Sequence, residues 1–135
     1  MNDKFLGSIL AIPAGEAAIA AKVIFASQYF SDVIAIQLFL GKPLSTESCE
    51  IDLKNDDATV YYTSGREIRS KRWKIIGQTD VTDGERRATE RTAGGEIWIE
   101  DRHLGRASAE QLADLPEMRI HGWKLIEKYA ARSLA

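Results

Sequence analysis

The sequence predicts an α+β domain whose main element is an antiparallel β-sheet, or a partly closed barrel, followed by one or two C-terminal helices. Two observations favour this class. Short apolar segments rich in β-branched and aromatic residues, bounded by turn residues, occupy the chain up to about residue 100. Signals typical of helices are concentrated after residue 107. With 135 residues and no linker long enough to divide it, the chain is expected to form a single domain, 1–135.

The first three apolar segments are expected to form strands. Residues 5–12 are short and apolar, and Pro13 and Gly15 predict a turn directly after them. Residues 17–30 are ambiguous by composition, because alanine favours helix whereas valine, isoleucine, phenylalanine and tyrosine favour strand. Only two polar residues separate them from residues 33–40, and so short a break is typical of a β-hairpin. We therefore assign 17–30 mostly to a strand.

Further short strands are predicted in the middle of the chain, after a turn at residues 41–43. In the segment 45–57, isoleucine and leucine alternate with charged residues, which is typical of a strand with one solvated face. Residues 78–95 are polar and contain glycine-based turn signals, so a mobile loop is expected there. The other predicted strands are 59–63, 73–77 and 96–100.

Two helices are predicted at the C-terminal end. Ser108 and Gln111 form a capping box, so a short helix is expected to begin there and to end near Leu115, before Pro116. Apolar residues at helical spacing predict a second, amphipathic helix, which Gly122 weakens near its start. This apolar stripe consists of Ile120, Trp123, Ile126, Ala130 and Leu134.

Composition excludes several classes of protein. The chain is 44% hydrophobic and carries a net charge of −2, which is typical of a folded domain and gives little electrostatic attraction to nucleic acid. No stretch approaches the roughly 18 apolar residues that a membrane helix needs. Cys49 is the single cysteine, so no intrachain disulfide can form. With no convincing signal peptide, a cytoplasmic location is expected.

The charge is unevenly distributed along the chain. Residues 1–65 carry a net charge of −4, residues 66–91 carry +3, and residues 92–135 carry −1. The segment 45–57 alone contains five acidic residues and one lysine. The stretch 66–74 contains five basic residues and one glutamate. A partner is therefore expected to recognise a local charge pattern rather than the overall charge.

No pattern in the sequence predicts an enzyme, a metal site or a cofactor. His103 and His121 lie 18 positions apart, and with one cysteine they do not make a recognisable zinc site. An enzyme that uses Cys49 as a nucleophile with either histidine is the least favoured hypothesis. Two carboxylate pairs are expected to be solvated charges rather than acid–base groups: Asp56-Asp57 and Glu100-Asp101.

The basic stretch supports an alternative function, a nucleic-acid-binding β-domain. Its cations would hold phosphates, and the nearby Tyr61 and Tyr62 would offer a stacking surface. Trp73 leads into two isoleucines and is instead expected to belong to the core. The near-neutral total charge also makes nucleic acid an unfavoured partner. The basic residues of this stretch are Arg66, Arg69, Lys71, Arg72 and Lys74.

Three motifs occur in order within about the first 80 residues: Gly7-Ser8-Ile9-Leu10-Ala11-Ile12-Pro13, Lys22-Val23-Ile24 and Trp73-Lys74-Ile75-Ile76-Gly77. Together they resemble the immunity protein 26 family of bacterial polymorphic-toxin systems. Ser8 stands where that family usually has aspartate, and Lys22 stands where it often has arginine. The resemblance implies a small cytoplasmic protein that binds and neutralises a toxin domain without catalysis of its own. The motif residues look structural, so they imply a strand-first fold rather than a toxin-binding residue.

The expected function is therefore that of an immunity protein which occludes a cognate toxin domain, expected to be a nuclease. Nuclease clefts are electropositive because they hold phosphates, and carboxylates can take the place of those phosphates. Residues 78–95 are a second candidate docking segment. The expected docking surface consists of Glu47, Glu50, Asp52, Asp56 and Asp57.

Overall fold

A computed structural model describes residues 2–44 and 58–135. These residues form two antiparallel sheets and four α-helices, which confirms the predicted α+β class. The five-stranded sheet is open and does not close into a barrel. The strands are β1 (Ser8–Ala14), β2 (Ala17–Ala26), β3 (Val33–Pro43), β4 (Ala58–Ser64), β5 (Lys74–Gln78), β6 (Arg91–Ala93), β7 (Glu96–Ile99) and β8 (Arg102–Arg106). The helices are α1 (Arg66–Arg69), α2 (Asp83–Arg87), α3 (Ala109–Asp114) and α4 (Trp123–Ser133), and a 3-10 helix spans Asn2–Phe5.

The strands of the large sheet follow the order β4-β3-β2-β1-β5, and those of the small sheet follow the order β6-β7-β8. The predicted hairpin is confirmed, since β2 and β3 pair antiparallel. The ambiguous segment 17–30 is thus a strand as far as Ala26, and the turn begins at Ser27. The Ser27 hydroxyl accepts the backbone N–H of Phe30 in this turn, at 2.7 Å. β5, which comes from the middle of the chain, completes the sheet beside β1.

The turn predicted from Pro13 and Gly15 is confirmed at Gly15, whose φ is +68°, although β1 continues through Pro13, which lies opposite Ala18. The turn predicted at residues 41–43 is wrong, because the strand continues through it. β3 runs on to Pro43, opposite Ile19, and its pairing with β2 shifts in between. Gly41 has a φ of +80° within this stretch. A proline is tolerated in a strand where its missing N–H is not needed, and a left-handed glycine accommodates a bulge.

One face of the large sheet is covered by α4. Ile126 and Ala130 of this helix are fully buried against the sheet, while Trp123 and Leu134 are partly buried. The prediction that Ile120 belongs to the apolar stripe of this helix is wrong, because Ile120 precedes the helix and is exposed. The apolar side chains that the sheet contributes to this core include Leu10, Ile12, Ile19, Val23, Ile34, Ile36 and Leu38.

The region from Gln78 to Gly95 contains regular structure, so the predicted loop is wrong there. Thr82 and Glu85 form a capping box that begins α2, and β6 follows. The Lys22 ammonium donates to the Glu85 carboxylate at 2.8 Å, and both side chains are buried. It also donates to the Asp80 carbonyl at 2.6 Å. This buried pair fixes α2 to the sheet face opposite α4, a contact that polar composition alone does not indicate.

A buried arginine joins the small sheet to the large one. The Arg91 guanidinium lies 5.4 Å from the Phe25 ring centroid and 5.2 Å from that of Tyr62. It donates to the carbonyl of Glu100 at 2.5 Å. Burial lowers the pKa of Arg91 below its ordinary value. The arrangement is structural, because its contacts are rings and carbonyls inside the domain.

The C-terminal helices begin near the predicted positions. Ser108 and Gln111 form the expected capping box, and α3 ends at Asp114. Gly122 caps α4 rather than lying inside it. In the part of the chain that the structure describes, no helix has the length and apolar character needed to cross a bilayer.

Candidate functional site

The predicted acidic docking surface lies outside the described residues. This holds for Glu47, Glu50, Asp52, Asp56 and Asp57, and also for Cys49. The flanking residues are described: Leu44 follows β3 and Ala58 begins β4. The backbone N–H of Leu44 donates to the Ala18 carbonyl at 2.8 Å, so the described chain is held to the large sheet as far as Leu44.

The second carboxylate pair stabilises turns. The Asp101 carboxylate accepts hydrogen bonds from the Ser27 hydroxyl at 2.6 Å and from the Gln28 N–H at 2.7 Å. Glu100 has a φ of +52°, and its backbone N–H donates to the Thr89 hydroxyl at 2.8 Å. These contacts hold the β2–β3 turn against the β7–β8 turn.

The two histidines lie in different parts of the fold. His103, on β8, has its Nε2 3.0 Å from the carboxylate of Glu96. His121 lies ahead of α4 and packs edge-on against the ring of Tyr61, with centroids 5.2 Å apart. Tyr61 also stacks on Tyr129 of α4. His121 therefore belongs to an aromatic cluster between β4 and α4.

Two arginines of the basic stretch are engaged in ion pairs. Arg69 donates to both carboxylate oxygens of Asp32, at 2.7 and 3.1 Å. This guanidinium holds the pKa of Asp32 well below its usual range, although burial opposes the shift. Arg72 donates to both oxygens of Glu127 at 2.7 and 2.8 Å and lies 4.3 Å from the Trp123 ring centroid. Both arginines thus attach the 66–74 segment to neighbouring elements.

The structure does not form the stacking surface that the nucleic-acid hypothesis uses. Tyr62 is buried, its hydroxyl donates to the Thr89 carbonyl at 2.9 Å, and burial raises its pKa to about 12. Trp73 is fully buried, which confirms the expectation that it belongs to the core. Its indole N–H donates to Glu127 at 3.1 Å. Tyr61 is packed against Tyr129, so its ring is also occupied.

The remaining lysines of the stretch border a groove of about 650 Å³, which we call the lysine groove. Lys71 and Lys74 line it together with Lys4 from the 3-10 helix. Among residues 2–44 and 58–135, no carboxylate lies within 4.0 Å of the Lys71 or Lys74 ammonium. The complete lining is Lys4, Phe5, Ile68, Arg69, Lys71, Trp73, Lys74 and Ile75.

The lysine groove lies beside β5, which is an edge strand of the large sheet. Ile75 and Ile76 are 50% and 47% exposed, although they are the apolar centre of this strand. β5 is paired with β1 on one side, and no other strand of the described chain pairs with its second side. This combination of an apolar surface, free cations and an unpaired strand edge is suited to binding a polypeptide.

Local backbone geometry places Lys71 at the rim of the groove. Its φ is +67°, in the left-handed region that side chains with a Cβ rarely adopt. This conformation ends α1, and the Lys71 N–H donates to the Ile68 carbonyl at 3.1 Å. The chain then turns back so that Trp73 enters the core and Lys74 begins β5.

In the sequence, Lys71 and Lys74 are members of a charge run, and that run does not predict the groove. The available signal is the pair Ile75-Ile76 next to that run, since neighbouring strand residues point to opposite faces. One of the two isoleucines is solvated if only one face is covered. The exposure of both follows from the position of β5 at the edge, which the sequence does not encode locally.

Comparison of the chain with protein-family models, with curated proteins and with solved structures gives no match.

Proposed function

We propose that this protein is a cytoplasmic immunity protein that binds a cognate bacterial toxin domain, proposed to be a nuclease, and neutralises it by occlusion. The observation that carries the proposal is the open edge of β5 with the lysine groove beside it. This edge and groove are suited to binding a polypeptide, and the motifs of the chain resemble those of an immunity-protein family. An interface of the standard size would bury about 1,600 Å² in total.

The motif residues behind the resemblance have structural roles that support the strand-first reading. Gly7 has a φ of +81° and lies so close to the Thr79 carbonyl that a Cβ has no room. The backbone N–H of Thr79 donates to the Gly7 carbonyl at 2.9 Å. Trp73 is buried in the core with Ile126 and Ala130 of α4. The first and third motifs thus join β1 to β5, far apart in sequence, and build the edge on which the proposal rests.

The acidic segment supplies a second part of the proposed interface. Glu47, Glu50, Asp52, Asp56 and Asp57 would face the electropositive cleft of the toxin and exclude its substrate. A partner that meets both charge patterns needs a basic cleft and an acidic segment. This requirement would give the pair specificity as well as a fast association rate.

Co-expression tests the proposal. The toxin domain encoded beside this gene should arrest growth when expressed alone, and the wild-type protein should restore growth. Failure of the wild-type protein to restore growth, while it accumulates to normal levels in folded form, contradicts the proposed function.

The proposed role of the acidic segment in binding is tested by neutralising its charges. The triple variant Glu47→Gln, Glu50→Gln, Asp52→Asn should associate with the purified toxin domain at least about tenfold more slowly at low salt. The control is Glu16→Gln, Glu110→Gln, Asp114→Asn, which removes the same charge from exposed positions elsewhere. Equal association rates for the two triple variants contradict this role. Stopped-flow fluorescence or surface plasmon resonance gives the rates.

A further inference from the structure

We propose that the lysine groove and the free edge of β5 bind an extended acidic segment of the partner protein, which adds to the large sheet as a sixth strand. The inference rests on the proposed function, because it takes the partner to be a protein. It goes further by assigning the chemistry and the conformation of the segment that this surface takes.

The edge supplies main-chain recognition. β5 runs from Lys74 to Gln78, about 16 Å at the usual rise per residue. Its pairing with β1 uses one side of the strand, and its other side is unpaired within the described residues. Backbone N–H and C=O groups on such an edge are satisfied by an added strand, and this is the mode by which many proteins capture extended segments.

The groove supplies an apolar contact for alternate side chains of that segment. Ile75 is half exposed at its rim, whereas Phe5, Ile68 and Trp73, which also line the groove, are buried behind it. Burial of Ile75 beneath an added strand is favourable at about 25 cal/mol per Å² of apolar surface. A segment with an apolar residue opposite this position therefore fits.

The charge of the rim selects acidic neighbours for that residue. Lys71 and Lys74 are exposed, and no described carboxylate pairs with them, whereas the nearby Arg69 is paired with Asp32. Charged lysines beside a strand edge also discourage pairing of the protein with itself, because their ammonium groups would have to be desolvated there. A carboxylate on the added strand offsets this desolvation and gains a charge-assisted contact.

The left-handed conformation of Lys71 is a second observation about the same position. A non-glycine residue pays about 1–2 kcal/mol there, and asparagine is among the residues that tolerate it best. A lysine at this position therefore destabilises the backbone, and it places an ammonium group at the rim of the groove. This also provides a test variant, Lys71→Asn, that removes the charge without a steric demand on the fold.

A nucleic acid fits this surface less well than a polypeptide. The rings that would stack on bases are occupied, since Tyr62 and Trp73 are buried and Tyr61 packs on Tyr129. An unpaired strand edge offers alternating donors and acceptors, which match a polypeptide backbone rather than a phosphate backbone.

Binding measurements on the double variant Lys71→Asn, Lys74→Gln test the inference. Two probes are used: the purified toxin domain, and a ten-residue peptide that alternates glutamate with valine. We expect the double variant to bind both probes at least tenfold more weakly than wild type by isothermal titration calorimetry. The control is Lys124→Gln, Lys128→Gln, which removes the same charge from exposed positions of α4 and should bind as wild type does. Equal affinities of the double variant and wild type overturn the inference.

Hydrogen exchange locates the contact. Binding of either probe should slow amide exchange in β5, residues 74–78, and leave β4, residues 58–64, unchanged. Protection confined to other segments overturns the proposed strand addition. Preference of wild type for a decauridylate over the glutamate–valine peptide, lost in the double variant, assigns the groove to nucleic acid and also overturns it.

These outcomes separate the inference from the proposed function. If wild type restores growth and the double variant does so equally well with unchanged toxin affinity, the function stands and the groove is not the contact. If wild type fails to restore growth, the proposed function fails, and the peptide and hydrogen-exchange measurements still decide what the groove binds.

Discussion

The two edges of the large sheet differ in how their backbone is covered. The outer side of β4 is closed by the segment before α4: Tyr62 bridges to Ile120, and its carbonyl accepts the His121 N–H at 2.7 Å. The aromatic rings of Tyr61, His121 and Tyr129 then pack over this edge. β5 has no such cover among the described residues, and its two isoleucines are half exposed.

The difference indicates on which side of the sheet the proposed partner would bind. An exposed strand edge promotes aggregation when it binds no partner. At β4 the C-terminal part of the chain covers the edge. At β5 the chain leaves the edge open and borders it with lysines, which deter a second copy and attract acidic groups.

The open edge depends on Trp73 for its attachment to the core. Trp73→Ala should lower the free energy of unfolding by about 3–5 kcal/mol, because it empties a fully buried site and leaves Glu127 without the indole donor. Urea denaturation followed by circular dichroism measures the loss. A loss below about 1 kcal/mol would show that β5 is not anchored through this side chain.

The stability of the sheet near its covered edge, β4, depends on Asp32, which joins the β2–β3 turn to the end of β4 and to α1. Its carboxylate accepts from Ser64, Asn2 and Arg69. After allowance for solvent screening at this part-exposed site, Asp32→Asn should cost about 1–2 kcal/mol at pH 7. Asparagine also tolerates the φ of +54° found there, so backbone strain does not contribute.

The pH dependence of that cost follows from the direction of the pKa shift. The pKa of Asp32 is depressed in the folded protein, so its stabilising effect is complete above the unfolded value of about 3.9 and is lost as the pH falls through the folded value. The difference between wild type and Asp32→Asn should therefore shrink below about pH 4. Asp114→Asn, at an exposed position in α3, serves as the control and should change stability by less than about 0.5 kcal/mol at either pH. A pH-independent difference would contradict the assignment.

At the closed edge itself, Tyr62→Phe removes the hydroxyl that donates to the Thr89 carbonyl. The expected loss of stability is about 1 kcal/mol, the usual net value of one hydrogen bond. Amide exchange of β4 should become faster while that of β5 stays as it is. Faster exchange in β5 instead would indicate that the two edges are coupled.

The smallest effect is expected on the open edge. Ile76→Thr should change the free energy of unfolding by less than about 0.5 kcal/mol, because the side chain is 47% exposed and threonine is also β-branched. The same change at Ile36, which is fully buried in the central strand β3, should cost several times more. Equal costs at the two positions would mean that β5 is covered.

Sequence patterns predicted the elements whose signals are local. The apolar segments at 17–30 and 33–40, separated by two residues, had to pair as neighbours, and the Ser108–Gln111 capping box marked a helix start. The loop expected at 78–95 was wrong although Thr82 and Glu85 show the same capping signal. In that region the capping pair indicates the structure better than the polar composition does.

The charge run 66–74 shows why the candidate site could be predicted only in part. Its five cations are equivalent in sequence, yet Arg69 and Arg72 reach carboxylates that lie 37 and 55 positions away. Lys71 and Lys74 find no such partner in the described chain and remain at the groove. Which cation is free depends on distant contacts, and local patterning carries no information on them.

Local patterns in the sequence predict the α+β class, the β2–β3 hairpin and the burial of Trp73, because periodicity and turn chemistry act over a few residues. The position of β5 at an edge of the sheet, and the covering of the opposite edge by the C-terminal segment, are set by contacts between distant residues. Those outcomes depend on pairing between residues more than 55 positions apart, such as Ile9 with Gly77 and Tyr62 with Ile120. The exposure of Ile75 and Ile76, and with it the lysine groove, exists only after these long-range pairs have formed.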